Sequence, residues 1–181
     1  MTPTAISPSI LESNHRSLTA TYALSSGQKA LWFQQQMPLE SMAYHLCKTV
    51  RITSKLSIAL WYQTWQKLTE RHSMLRTTYT IEDGEPVQVV HPHLDVPLGV
   101  IDTSLWSDAE LKTEIISVAN RPFDLAHEPA LRVYLFQRSL RDYIQLISLH
   151  KIGGDLWSLN ILLAEFRRLY GRKDGVPTSG V

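Results

Sequence analysis

His150, Lys151 and Asp155 fall within one short stretch, LHKIGGDLWSL, from Leu149 to Leu159. An imidazole beside an amine, with a carboxylate one glycine turn further on, is a set of groups that can move a proton or orient a reacting one. A carboxylate folded back toward the pair would fix a neighbouring group or meet an arginine, and a site is preorganised in this way. The opposing reading is a polar junction whose groups satisfy one another. Both readings stay open on these residues alone.

Other chemistries fit the sequence less well. His91 and His93 in HPH could each reach a metal, but no further Cys, His or acidic pair stands at ligand spacing, so no metal is expected. Gly153 and Gly154 match neither phosphate-loop pattern, and paired glycines at a turn are expected to supply backbone freedom. Ser158 lacks the G-x-S-x-G elbow that exposes a nucleophilic hydroxyl, so helix capping is its expected role.

The elements that must position these groups can be read from periodicity. YIQLISLH, up to His150, is rich in β-formers, as is LRVYLFQR before it, and Ser139 to Asp142 between them predict an antiparallel pair. After the glycines, Leu159, Leu162, Leu163, Phe166 and Leu169 recur at helical spacing, with Gly171 expected to lie beyond the helix end. The segment is therefore a strand-to-helix junction, where side chains reach a cleft while rigid elements flank them.

Upstream, Ser25 and Ser26 cap a short helix, and HLCKTVRI (45–52) predicts a strand. Ile58, Trp61, Tyr62, Trp65 and Leu68 form the inward stripe of a helix over 57–71. MLRTTYTI and PVQVVH flank the turn Glu82-Asp83-Gly84-Glu85 and predict a hairpin, with a short extended piece near 96–102. Ser107 and Glu110 form a capping box for a helix running to about 119, which Asn120-Arg121-Pro122 stops.

The chain has 181 residues, 44% apolar and 19% charged, which is enough for one globular unit with a real core. A net charge of +1, with both signs scattered, leaves no footprint for nucleic acid. The single cysteine, Cys47, excludes an internal disulfide, fits a reducing compartment and is expected as a small apolar filler. No apolar run approaches the ~20 residues of a membrane span, and residues 1–20 lack signal-peptide features, so the expected location is the cytoplasm. Residues 1–20 read as a flexible leader, 21–170 as the folded part and 171–181 as a linker.

Four segments carry a resemblance to a known family. LSSGQKALWF (24–33), RHSMLRTTY (71–79) and HKIGGDLWS (150–158) stand in the order and spacing of the first three core motifs of condensation domains from nonribosomal peptide synthetases. RPFDLAHEPALRVYLF (121–136) is similar to that family's approach to its active-site strand. The resemblance implies an α/β (α+β) fold, one chloramphenicol acetyltransferase-like lobe with a mixed sheet packed against helices. It also implies a second lobe beyond residue 171, with a tunnel between the two. Carrier proteins would approach from opposite faces with substrates on phosphopantetheine arms, and an amide bond would form between acyl donor and aminoacyl acceptor. No cofactor binds directly in this picture; the partners are carrier proteins, the second lobe and neighbouring synthetase domains of secondary metabolism.

In the family motif HHxxxDG the first histidine corresponds to His150 and the aspartate, largely structural, to Asp155. The second histidine, assigned to position or deprotonate the attacking amine, is replaced by Lys151, and the final glycine by Leu156. A lysine titrates near ~10.4, so service as a base at neutral pH needs a fall of ~3 units, or ~4 kcal/mol. A protonated lysine can still polarise a carbonyl. Lys151 is therefore the residue expected to carry any chemistry, with His150 and Asp155 shaping the loop. Gly153 and Gly154 supply the turn, Leu156 and Trp157 are expected to pack beneath it with Ser158 in support, and Arg71 and Arg76 are expected to hold the fold. Strongly reduced activity of the isolated chain follows. The alternatives are a docking module for carrier proteins or neighbouring domains, and a single-lobe acyltransferase with sites built between subunits.

Overall fold

The computed structural model describes residues 19–36 and 41–174, so the leader up to residue 18 and the linker from 175 lie outside the described residues. The described chain forms two sheets and four α-helices. Strand β1 (Ala20–Ala23) precedes α1 (Ser26–Gln35), followed by β2 (His45–Ile52) and α2 (Ile58–Arg71). The hairpin β3 (Thr77–Glu82) and β4 (Glu85–Val90) comes next, then β5 (Leu98–Asp102) and α3 (Asp108–Asn120). β6 (Leu131–Ser139), β7 (Asp142–His150) and α4 (Leu156–Asp174) complete it.

The smaller sheet has the order β1-β4-β3 and the larger β2-β7-β6-β5. In the larger sheet β2, β7 and β6 run antiparallel, and β5 pairs parallel with β6 across the α3 crossover, so the sheet is mixed as expected.

Strand alternation sorts this sheet into two faces. Leu131, Val133, Leu135, Ile147 and Leu149 pack against α2 and α4 through Trp61, Trp65, Leu68, Leu159, Leu162, Leu163 and Phe166. Phe136 and Leu146 face the other way, toward Leu111 of α3. The aromatic stripe of α2 is core, with Trp61 and Trp65 fully buried and the Trp61 indole N–H donating to Gln145 Oε1 at 2.6 Å. The hairpin turn places Asp83 at φ 51° and Gly84 at φ 81°, a left-handed pair for which glycine is the residue without strain.

Several expectations need correction. Ala20 begins a strand and is no part of a leader, because β1 docks on the β4 edge through Ala20↔Val90 and Ala23↔Val87. Ser73–Arg76 is a 3-10 turn, so β3 starts at Thr77 and not at Met74. Gly171 lies inside α4, which runs to Asp174. Cys47 is exposed, not a buried filler, because its β2 position points it to the α3 face near the helix end, with Sγ 3.7 Å from the Ala119 carbonyl.

Two arginines flank this core. Arg76 is tied to main-chain carbonyls, donating to Thr69, Glu70, His91 and Pro92 and so joining the end of α2 to the segment after β4. Arg71 is more exposed and lies 3.6 Å from Glu165, which also bonds His72 at 2.7 Å, linking α2 to α4.

Candidate active site

His150 is the last residue of β7, and the register sets it directly opposite His45, the first residue of β2. Both lie on the sheet face away from α2 and α4. There the His45 ring meets Phe123 edge-on at 4.9 Å, and the His150 ring meets Phe123 at 5.8 Å and His45 at 5.9 Å. His150 is fully buried.

The hydrogen bonds of His150 fix its protonation. The Ile152 N–H donates to Nδ1 at 3.1 Å, so that nitrogen holds the lone pair. The proton therefore sits on Nε2 and is donated to Gln35 Oε1 at 3.1 Å, while the Gln35 amide donates onward to the Phe123 carbonyl at 3.1 Å. Burial first, then the nearby His45 and Lys151 charges, push the His150 pKa down to about 4. At neutral pH the ring is uncharged with both nitrogens engaged, so it shapes the turn and has no free lone pair for an incoming proton.

A pH dependence follows. The folded pKa lies below the ordinary 6.5, so the unfolded chain binds more protons as pH falls through that window. Stability is fully present above 6.5 and falls as the medium is acidified toward 4, by about 2 kcal/mol between pH 7 and 5. His45, lowered chiefly by burial, acts in the same direction. Urea unfolding at the two pH values should show this loss, and a His150→Asn variant should lose less than half of it.

Lys151 leaves the strand on the opposite course. It is exposed, its N–H donates to the Tyr44 carbonyl at 2.8 Å, and its ammonium sits 5.7 Å from the Tyr44 ring centroid. Asp155 does not fold back toward His150 and Lys151. It caps α4: Oδ1 accepts from the Ser158 N–H at 2.8 Å and the Ser158 hydroxyl at 2.7 Å, and its own N–H donates to Ser158 Oγ at 3.3 Å. These Ser158 bonds hold the Asp155 carboxyl below the usual carboxylate range. The proximity of Asp155 to Ser158 replaces the expected site contact because the first free N–H groups of a helix are its nearest donors.

Leu156 and Trp157 also depart from expectation. They do not pack beneath the loop; they are 58% and 73% exposed on the outer side of α4. The glycines are needed for space and not for backbone freedom, since neither has a positive φ. A Cβ at Gly153 would lie 2.6 Å from the buried Ala130 Cβ, and one at Gly154 3.0 Å from the Ser158 Cβ. Gly153→Ala should therefore cost about 1–3 kcal/mol of stability in denaturant unfolding, whereas a loss under about 0.5 kcal/mol would mean that the turn shifts freely.

Two residues that carry this geometry escaped sequence reasoning. Gln35 sits 115 residues from His150 in a polar QQQ run that gives no cue. Arg132, within the 121–136 segment, is a buried guanidinium bonded to the Glu128 carboxylate and to the Arg121 and Pro122 carbonyls, stacked 4.0 Å from the Phe123 ring. A charged residue inside an otherwise apolar β-run is the signal that could have found it.

Among the described residues no group of His, Cys, Asp or Glu is arranged to hold a metal, and no helix is long and apolar enough to cross a membrane. His91, once a metal candidate, lies 2.7 Å from Thr78 Oγ1 through Nε2.

The family model of the condensation domain matches residues 19–179. The chain belongs to the condensation domain family. Tyrocidine synthase 3 of Brevibacillus parabrevis is 34% identical over 158 residues, covering 87% of this chain and 2% of that protein. Malpibaldin synthetase of Mortierella alpina is 33% identical over 158 residues, 85% of this chain and 3% of the relative. Among solved structures, the starter condensation domain of rhizomide synthetase superposes with a TM-score of 0.79 at 18% identity, covering 90% of this chain and 40% of that one. A four-domain nonribosomal peptide synthetase bound to AMP and glycine gives 0.77 at 18% identity, over 88% of this chain and 12% of the other. The α/β architecture of mixed sheets and helices is thus that of condensation domains, and this condensation chain spans only a few per cent of the synthetases it matches.

Proposed function

We propose that the chain is the amino-terminal lobe of a condensation domain, its elements running from Ala20 to Asp174, working inside a larger cytoplasmic synthetase. There it forms one wall of a site where an aminoacyl acceptor attacks an acyl or peptidyl thioester. Both substrates arrive on the phosphopantetheine arms of carrier proteins.

The observation that supports this most directly is the division of labour at 150 and 151. His150 is buried, neutral and bonded through both nitrogens. The next residue projects from the turn into the open, where a substrate can reach it. A reacting group belongs at 151, and Lys151 offers a cation that can hold a carbonyl oxygen but, while protonated, cannot take a proton. The synthetase is therefore expected to condense slowly at this module. Asp155 and Ser158 start α4 and hold the turn, and Gly153 and Gly154 let it pass close to Ala130 and Ser158.

The test is single-turnover mass spectrometry of the synthetase that carries this sequence, with donor and acceptor carrier proteins loaded. Slow appearance of elongated thioester on the acceptor arm supports the proposal. Saturable carrier-protein binding without any elongated product over hours would replace it with a docking role.

A further inference from the structure

We propose that Gln35 is a positioning residue: from the last turn of α1 its Oε1 accepts the His150 Nε2–H that the Ile152 N–H leaves as the ring's donor, and by anchoring that ring it holds the path of the turn that presents Lys151. The inference deepens the functional reading above and rests on it only for its consequence in condensation; the placement of the proton stands apart.

The chain of bonds is directional. The Ile152 N–H can only donate, so Nδ1 accepts; Nε2 then donates to Gln35 Oε1, and only the amide nitrogen of Gln35 can donate to the Phe123 carbonyl. Each polarity follows from the one before it. Reversing the Gln35 amide would set its N–H₂ against the His150 N–H and its oxygen against the Phe123 carbonyl.

Helix α1 touches the same turn a second time. Gln28, seven residues and about two helical turns before Gln35, lies on the same face of the helix, and its amide donates to the Ile152 carbonyl at 3.4 Å. The Tyr79 hydroxyl donates to that carbonyl at 3.2 Å, and the buried Trp32 fills the space between the two glutamines along the helix. Ile152 is thus held at both ends of its backbone: by Gln28 and Tyr79 at the carbonyl, and by His150, and through it Gln35, at the N–H. Lys151 lies between the two held residues, so its direction depends on them.

The titratable groups facing His150 are His45 from β2, Lys151 from its own turn, and Tyr44 from the segment before β2. His45 and Lys151 act on the ring through charge, and the acceptor at Nε2 is the Gln35 oxygen.

The experiment is long-range proton–nitrogen NMR of the histidines in the 15N-labelled chain, with the Gln35→Glu and Gln35→Leu variants. In the parent, His150 should show the Nε2–H pattern with slow solvent exchange of that proton. Gln35→Glu keeps an acceptor and adds a negative charge, so the His150 midpoint should rise by about 1 pH unit or more. Gln35→Leu removes the acceptor, and exchange of the Nε2 proton should rise at least tenfold. The Lys151 amide resonance should shift in both variants. An unchanged His150 midpoint in Gln35→Glu, read in protein whose remaining amide spectrum matches the parent, would overturn the proposal, as would a Lys151 amide that does not move. A synthetase inactive with either lysine or histidine at 151 would instead sink the functional reading and leave these spectra untouched.

Discussion

Arg132→Met is expected to destabilise the chain by about 3–5 kcal/mol, the usual result of removing one partner from a buried ion pair. The loss is large because the guanidinium serves several groups at once. It bonds both oxygens of Glu128, takes up the carbonyls of Arg121 and Pro122, and covers the Phe123 ring at 4.0 Å. Methionine replaces the stem and the contact with the ring, but none of the donors. The Glu128 carboxylate, only 17% exposed, and two carbonyls are then left short of partners. Against a typical total of about 5–15 kcal/mol, this is enough to populate the unfolded state.

The effect should reach the site, since Phe123 packs on both His45 and His150 and its carbonyl receives the Gln35 amide. Loss of the clamp should therefore loosen the Gln35–His150 bond before global unfolding, visible as faster exchange of the His150 ring proton. Glu128→Gln, which keeps shape and some hydrogen bonding, should cost less than Arg132→Met. A loss below about 1 kcal/mol for Arg132→Met would show that the 121–128 loop holds itself without the arginine.

The elements were legible in the sequence wherever local pattern decides structure. The Trp61–Trp65–Leu68 stripe, the Asp83-Gly84 turn and the Ser107–Glu110 box each depend on residues a few positions apart, and each formed as read. The strand β1 was not legible, because ATYA is short and sits in a polar Ser/Thr-rich stretch, and only pairing with β4 makes it a strand. The exposure of Trp157 could have been read from helical phase. At about 100° per residue it lies about 200° around the helix from Leu159, the first residue of the buried face. Hydrophobicity pulled the expectation the wrong way.

Site geometry was less legible than the fold because it depends on register between distant strands. Nothing near residue 150 announces that His45, 105 positions earlier by their numbering, will stand opposite it, or that Gln35 will accept its proton. The direction of Asp155 was a choice between two nearby sets of donors, and the N–H groups of its own helix were the closer ones. A sequence shows which groups are available at such a junction; only the packed structure shows which face each one takes.

Lys151→His, made in the intact synthetase with both carrier proteins loaded, is expected to raise single-turnover amide formation by about 10²-fold or more, the range that a positioned general base supplies. An ammonium has no lone pair with which to take the proton of the attacking amine, whereas a neutral imidazole has one. The backbone at 151 does not depend on the side chain, since it is held by the Tyr44 carbonyl and by the bonds on Ile152, so an imidazole should leave the turn in the same direction. The neighbouring histidine cannot compensate, because its lone pair is already filled by the Ile152 N–H. Lys151→Arg separates charge from basicity: a rate equal to that of lysine means that the cation alone was acting, by holding the carbonyl oxygen. Rates that are the same for lysine and histidine would mean that position 151 does not limit the reaction, and the division of roles between 150 and 151 would have to be abandoned.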